Sequence, residues 1–273
     1  MNDAGESRRL LLVAYHFGAG AGTGSLRWNA MTADLVARGW ALDIITLARD
    51  LGNGLLSTIP YAPHQGIRVY PIRRSTRPDR VFEGAAQLKR GLQSVLGRER
   101  GVAAPPRDLG PDDVKPWGGA EPPGLYNKLM SNLDALTRIS ADMLWARSAL
   151  RQARILAARH SYLAVMVSTP PHVTQTVGVA VAREFGVPYL PDLRDVWIFG
   201  RPKLCATNAV DRAVGKRLER RAMARAHTII CNTERAREAV IQLDHARGKP
   251  VVTVANGFDA IGEVAWPDLE RFR

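Results

Sequence analysis

The chain has 273 residues, long enough for one large α/β core or two small ones, and a formal net charge of +12. That charge implies an anionic partner: a phosphorylated substrate, an anionic lipid surface or nucleic acid. Its two cysteines, Cys205 and Cys231, have no CxxC partner. This excludes a disulfide framework and a zinc-finger pattern, and it points to a reducing compartment, the cytoplasm by default. No apolar run reaches the roughly 20 residues needed to span a bilayer.

Arg9 to Tyr15 (RLLLVAY) reads as a buried strand. A glycine-rich stretch follows, with Gly18, Gly20, Gly22 and Gly24 alternating with small residues. Ser25 to Arg38 then places Leu26, Met31, Leu35 and Val36 at helical spacing, and Gly39 ends the helix. A strand over Ala41 to Leu47 completes a βαβ unit with parallel strands, and a third strand covers Ile67 to Ile72.

From about residue 73 to 124 the rhythm breaks. A basic segment leads into a stretch rich in proline and glycine, which reads as a mobile insertion. Between Gly66 and Arg100 nine basic residues face three acidic ones, with Val81, Phe82, Ala85, Leu88, Leu92, Val95 and Leu96 at helical spacing. This pattern suits a helix in an anionic membrane interface, with Arg73, Arg74, Lys89 and Arg90 as its cations. It suits an ordinary helix docked on the sheet equally well.

A long helix is expected from Tyr126 to His160, and a strand from Leu163 to Ser168. Thr169 is expected to cap a helix that starts at Pro170 and runs to Phe185, with Gly186 closing it. Strand Tyr189 to Leu193, a basic helix from Asp211 to Arg225, strand His227 to Cys231, a helix from Glu234 to about Ala246 and strand Val251 to Ala255 complete the alternation. The fold class is therefore α/β: a Rossmann-like parallel sheet with helices on both faces.

The candidate site residues gather where ligands bind in such sheets, at the carboxyl ends of the strands. The glycine stretch would let a phosphate approach the backbone and meet the amides of the following helix, or it is simply a flexible turn. It is neither a dinucleotide fingerprint nor a P-loop. His172 follows a strand, as a site residue or a surface histidine. Asp192, Arg194 and Asp195 follow another, and read first as a local ion-pair network. Asn232 and Thr233 read first as helix capping, Asn256 and Gly257 as a turn. The six histidines show no HxxxH or HExxH spacing and there is no GxSxG elbow, so neither a metal site, a serine hydrolase nor a cofactor is indicated.

Taken in order, the strand leading to YHFGAGAGTGSLRW, then VSTPPH, DLRDVW, LERRAMARAHTIICNT and VVTVANGFD, resemble the N-terminal half of family 4 glycosyltransferases, the retaining GT-B enzymes. The resemblance runs from about Arg8 to Asp259 and skips the insertion. It implies a domain over residues 1–259 and, at 260–273, the start of a linker to a C-terminal donor-binding domain. It also implies transfer of a sugar from a nucleotide-sugar donor to a glycan, lipid-linked or small-molecule acceptor, with peripheral membrane contact and no role for nucleic acid.

Carried onto this chain, the resemblance assigns Gly20, Gly22, Thr23 and Gly24 to the donor diphosphate and sugar. His172 and Asp195 take the catalytic positions, and His16, Arg27, Arg194, Asn232, Thr233, Asn256 and Gly257 line the acceptor cleft. The family's Glu-x7-Glu pair has no counterpart, since no glutamate is followed by another eight positions on. The residues 1–273 alone are therefore expected to be inactive. The competing reading is a truncated, non-catalytic module that binds an anionic or phosphorylated partner.

Overall fold

A computed structural model describes residues 8–18, 23–48, 66–75, 125–194 and 209–256. Strands β1 (Arg9–Ala14), β2 (Ala41–Leu47), β3 (Ile67–Ile72), β4 (Ala164–Thr169), β5 (Tyr189–Leu193), β6 (Ile229–Cys231) and β7 (Val251–Thr253) alternate with helices. The helices are α1 (Thr23–Ala37), α2 (Leu125–Ala157), α3 (Gln175–Phe185), α4 (Ala209–Arg225) and α5 (Glu234–Ile241). All pairings are parallel, in the order β3-β2-β1-β4-β5-β6-β7. This is the doubly wound Rossmann-like arrangement, and the strand order reverses between β1 and β4.

The central strands are buried on both faces, which explains their unbroken apolar sequence. In β1, Leu10, Leu12 and Ala14 join one core cluster while Leu11 and Val13 join the other. Residues of β4 divide in the same way, Met166 on one side and Val165 and Val167 on the other. This is the period of two that a strand imposes. Helix α1 covers the first face with Trp28, Met31 and Leu35. The second face takes α2, α3, α4 and α5 through residues such as Trp145, Val177, Val181, Met223 and Val240.

The second face also holds one carboxylate. Asp43 of β2 is fully buried and accepts hydrogen bonds from Arg9 Nη1 at 2.8 Å and Tyr162 Oη at 2.6 Å. Burial, reinforced by the Asp43 carboxylate, pushes the Tyr162 phenol well above its ordinary range, so it stays a donor. The apolar pattern of ALDIITL hid this group, because a partnered aspartate fits a buried strand as well as a valine does.

Three local expectations are corrected. Thr169 does not cap a helix: it is the last residue of β4, and its hydroxyl donates to the Asp192 carbonyl at 3.2 Å. Pro170 is likewise outside the helix, which begins as a 3₁₀ turn over His172–Thr174 after an extended Pro171. The helix expected over residues 234–246 stops at Ile241, and a separate 3₁₀ turn covers Asp244–Ala246. Gly186 closes α3 with φ of 68° as expected. Of the insertion, only residues 73–75 are described, so the amphipathic segment over residues 81–96 lies outside the described residues.

Gly178 sets how closely α3 lies on the sheet. A Cβ there would stand 2.4 Å from the Tyr189 ring and 2.5 Å from a Val167 methyl, both on central strands. In a helix Gly→Ala ordinarily gains up to about 1 kcal/mol. Here Gly178→Ala should instead lower stability by about 1–3 kcal/mol through overpacking, measured by urea denaturation.

Candidate functional site

The carboxyl ends of β1, β2 and β4 open into a cavity of about 510 Å³, which residues of α2 and α4 also line. Its position is the switch point of the sheet, where a crevice is left because neighbouring connections run to opposite faces. Tyr15 and His16 follow β1, while Pro170, Pro171 and His172 follow β4. Tyr15 is fixed edge-on against Trp145 at 4.8 Å between ring centroids, and Trp145 Nε1 donates to the Ile72 carbonyl at 3.1 Å. Leu47, Ile139, Val173, Val214 and Leu218 complete the apolar wall.

Two ion pairs cross the cavity lining. Arg74 Nε lies 3.5 Å from Asp142 Oδ1, and Arg138 Nη2 donates to Asp211 Oδ1 at 2.6 Å. These pairs supply donors and acceptors at the wall with little net charge. Sequence reasoning did not place Arg138, Asp142 or Asp211 in the site, and read Arg74 only as a cation of a membrane interface or of an ordinary solvated surface. The i,i+4 spacing of Arg138 and Asp142 puts both on one face of α2, but nothing in that spacing says what the face meets.

His16 and His172, proposed from sequence, both line this cavity. Burial first, and the Arg138 charge second, push the His172 imidazole down to about 3. It is therefore neutral at physiological pH, able to accept a hydrogen bond on one ring nitrogen and donate one from the other.

The remaining expected residues are distributed elsewhere. Thr23 and Gly24 form the first turn of α1 rather than a loop. Gly18, at φ of 89°, takes a conformation suited to glycine, and its amide donates to Asn29 Oδ1 at 3.1 Å. Arg194 is half-buried just after β5, and Asn232 half-buried after β6. Thr233 caps α5, its hydroxyl accepting from the Ala236 amide at 3.1 Å. Gly20, Gly22, Asp195 and Gly257 lie outside the described residues.

Arg27 and Asp192 form a buried constellation between α1 and the carboxyl end of β5. Arg27 Nη2 donates to Asp192 Oδ1 at 3.0 Å and Nε to Oδ2 at 3.3 Å, while Nη1 donates to the Val254 carbonyl at 2.7 Å and to Asn256 Oδ1 at 3.1 Å. Trp28 Nε1 donates to Asp192 Oδ2 at 2.9 Å. The local network expected among Asp192, Arg194 and Asp195 is thus corrected: the carboxylate of Asp192 points inward and pairs with α1, 165 residues away.

No family model matches the chain, and no curated protein matches it. Solved structures similar to it include Phytolacca americana UGT2 complexed with UDP-2fluoro-glucose and pterostilbene, at 11% identity and a TM-score of 0.48, covering 94% of this chain and 55% of that one. Sucrose-phosphate synthase from Thermosynechococcus elongatus is similar at 13% identity and a TM-score of 0.49, covering 91% and 48%. A UDP-glucosyltransferase from Polygonum tinctorium capable of glucosylating indoxyl is similar at 12% identity and 0.46, covering 92% and 52%. The chain spans about half the length of each of these.

Two outcomes test the geometry. Arg27→Met should cost about 3–5 kcal/mol in chemical denaturation, because it leaves the Asp192 carboxylate buried without its countercharge. His172 should make stability fall with acidity: between pH 6.5 and its folded value the unfolded chain binds a proton that the folded chain does not. Relative to His172→Gln, the wild-type chain should therefore lose up to about 1.4 kcal/mol per pH unit between roughly pH 6 and pH 4.

Proposed function

We propose that this chain is the acceptor-side half of a GT-B glycosyltransferase, completed for catalysis by a donor-binding domain. The observation that carries the reading is the cavity at the β1/β4 switch point, lined by His16 and His172 from the two strand ends; in sequence, the glycine-rich stretch follows His16 and Phe17. The order of sequence motifs supports the same family, in its retaining, family 4 branch.

In this reading the amides at the start of α1 face the diphosphate of a nucleotide sugar, with Gly20, Gly22 and Gly24 leaving room for it. The acceptor lies in the cavity. Its apolar wall takes the body of the acceptor, and the Arg74–Asp142 and Arg138–Asp211 pairs offer hydrogen bonds to hydroxyls without selecting a net charge. A neutral His172 orients a hydroxyl of donor or acceptor. Front-side attack assisted by the donor phosphate requires no protein nucleophile, and none is assigned. Asp195, Arg194, Asn232 and Asn256 belong to the rim of the cleft, and the cytoplasm is the setting in which nucleotide sugars are supplied.

The test is transfer of labelled sugar from a panel of nucleotide sugars by the chain joined in frame to a donor-binding domain. Gly24→Asp separates function from folding. An acidic residue in the first turn favours the helix dipole, so the thermal midpoint should hold or rise. The same charge repels a diphosphate by a few kcal/mol at moderate effective dielectric, so transfer should fall by about 100-fold or more. Undiminished transfer by the folded variant removes the glycine segment from the donor site. No transfer from any donor by the completed wild-type protein overturns the reading.

A further inference from the structure

The edge of the sheet opposite the cavity carries a different chemistry. Because every strand is parallel, the segments that enter the strands share that edge, stitched together by backbone bonds such as Leu163 N to the Arg9 carbonyl and His227 N to the Tyr189 carbonyl. Two adjoining hollows of about 430 and 350 Å³ lie there and share Val187. The ionisable groups lining them besides tyrosines are all basic: Arg159 and His160 in the first, Arg183, Arg225, His227 and Lys249 in the second. Arg159, Arg225 and Lys249 form no ion pair among the described residues. The neighbouring carboxylate, Glu184, is taken by Arg154 at 2.7 Å, with Arg183 3.6 Å away.

Exposed apolar groups are set among these cations. Leu163 is 55% exposed in the turn that follows Arg159, and Phe185 is 37% exposed on the wall of the first hollow. We infer that this edge is a docking surface for an anionic lipid bilayer. From Arg8 beside β1 to Lys249 beside β7 the row crosses five neighbouring strands, about 19 Å, too broad for its cations to converge on one phosphate. A nucleic acid backbone would match the cations but leave Leu163 and Phe185 against phosphates. An anionic bilayer takes both, the cations at the headgroups and the apolar side chains at the acyl boundary. Strands about 20 Å long separate this edge from the cavity, so a docked chain presents the cavity to water. The inference is independent of the glycosyltransferase reading, and it uses a different surface from the segment over residues 73–100.

The test is flotation of the full chain with vesicles of phosphatidylcholine alone and of phosphatidylcholine mixed with phosphatidylglycerol. Binding should require phosphatidylglycerol and weaken with added salt. Arg159→Gln combined with Arg225→Gln and Lys249→Gln should lower it at least about tenfold. Leu163→Ser with Phe185→Ser should lower the part that survives high salt, and Lys89→Gln with Arg90→Gln should leave binding intact. Absence of binding by the wild-type chain, salt-indifferent binding, or undiminished binding by the triple variant overturns the proposal. So does a gel shift of double-stranded DNA that depends on the same three cations without any vesicle binding.

Discussion

The pair formed by Arg27 and Asp192 holds together parts of the chain that are remote in sequence. One guanidinium in α1 is satisfied by the end of β5 and by the segment that leaves β7, while the adjacent Trp28 supplies a further donor to the same carboxylate. Both side chains are almost fully enclosed. Desolvating two charges is costly, and attraction compensates only when geometry and additional hydrogen bonds are good. Here the carboxylate receives three donors and the guanidinium has three acceptor groups. The start of α1, where the glycine-rich segment arrives, is therefore fixed in relation to the strand ends that bound the cleft.

The cavity depends on that fixing and on a second feature, the neutralisation of its own charges. Arg74 and Arg138 are each set against an aspartate from a different element, α2 with the segment after β3 and α4 with α2. Such pairs tie together the elements that line the cavity. Protonation of His172 is disfavoured twice over, first by burial and second by the nearby Arg138 charge. A neutral imidazole beside apolar walls suits hydroxyl chemistry better than binding of a free anion.

Much of the fold was legible because its signals are local. Strands such as RLLLVA announce burial on both faces, and Gly39 and Gly186 mark helix ends through positive φ. The site was legible only to the level of strand ends. His16 and His172 were found because topology brings the segments after β1 and β4 together, whatever the side chains are. Arg27, by contrast, looks in sequence like any helix cation, and Asp192 like a neighbour of Arg194. Their pairing is a long-range fact that no spacing encodes. Thr169 misled because Ser/Thr before proline has the form of a helix cap, yet the β4 ladder continues through it and its hydroxyl serves β5.

Some of the positive charge of the described residues can be assigned to places. Around the cavity edge each described arginine that lines the site is set against a carboxylate, and Arg27 is consumed within the fold. At the opposite edge Arg159, Arg225 and Lys249 form no ion pair among the described residues, and exposed leucine and phenylalanine lie beside them. An excess of positive charge spread evenly would raise non-specific affinity for every polyanion. The cations at the entering ends of the strands instead give the described fold two electrostatically different ends, separated by the strands. Attraction to an anionic surface can then act on orientation without altering the electrostatics of the cavity, because the separation of about 20 Å exceeds the screening length of roughly 8 Å at physiological salt.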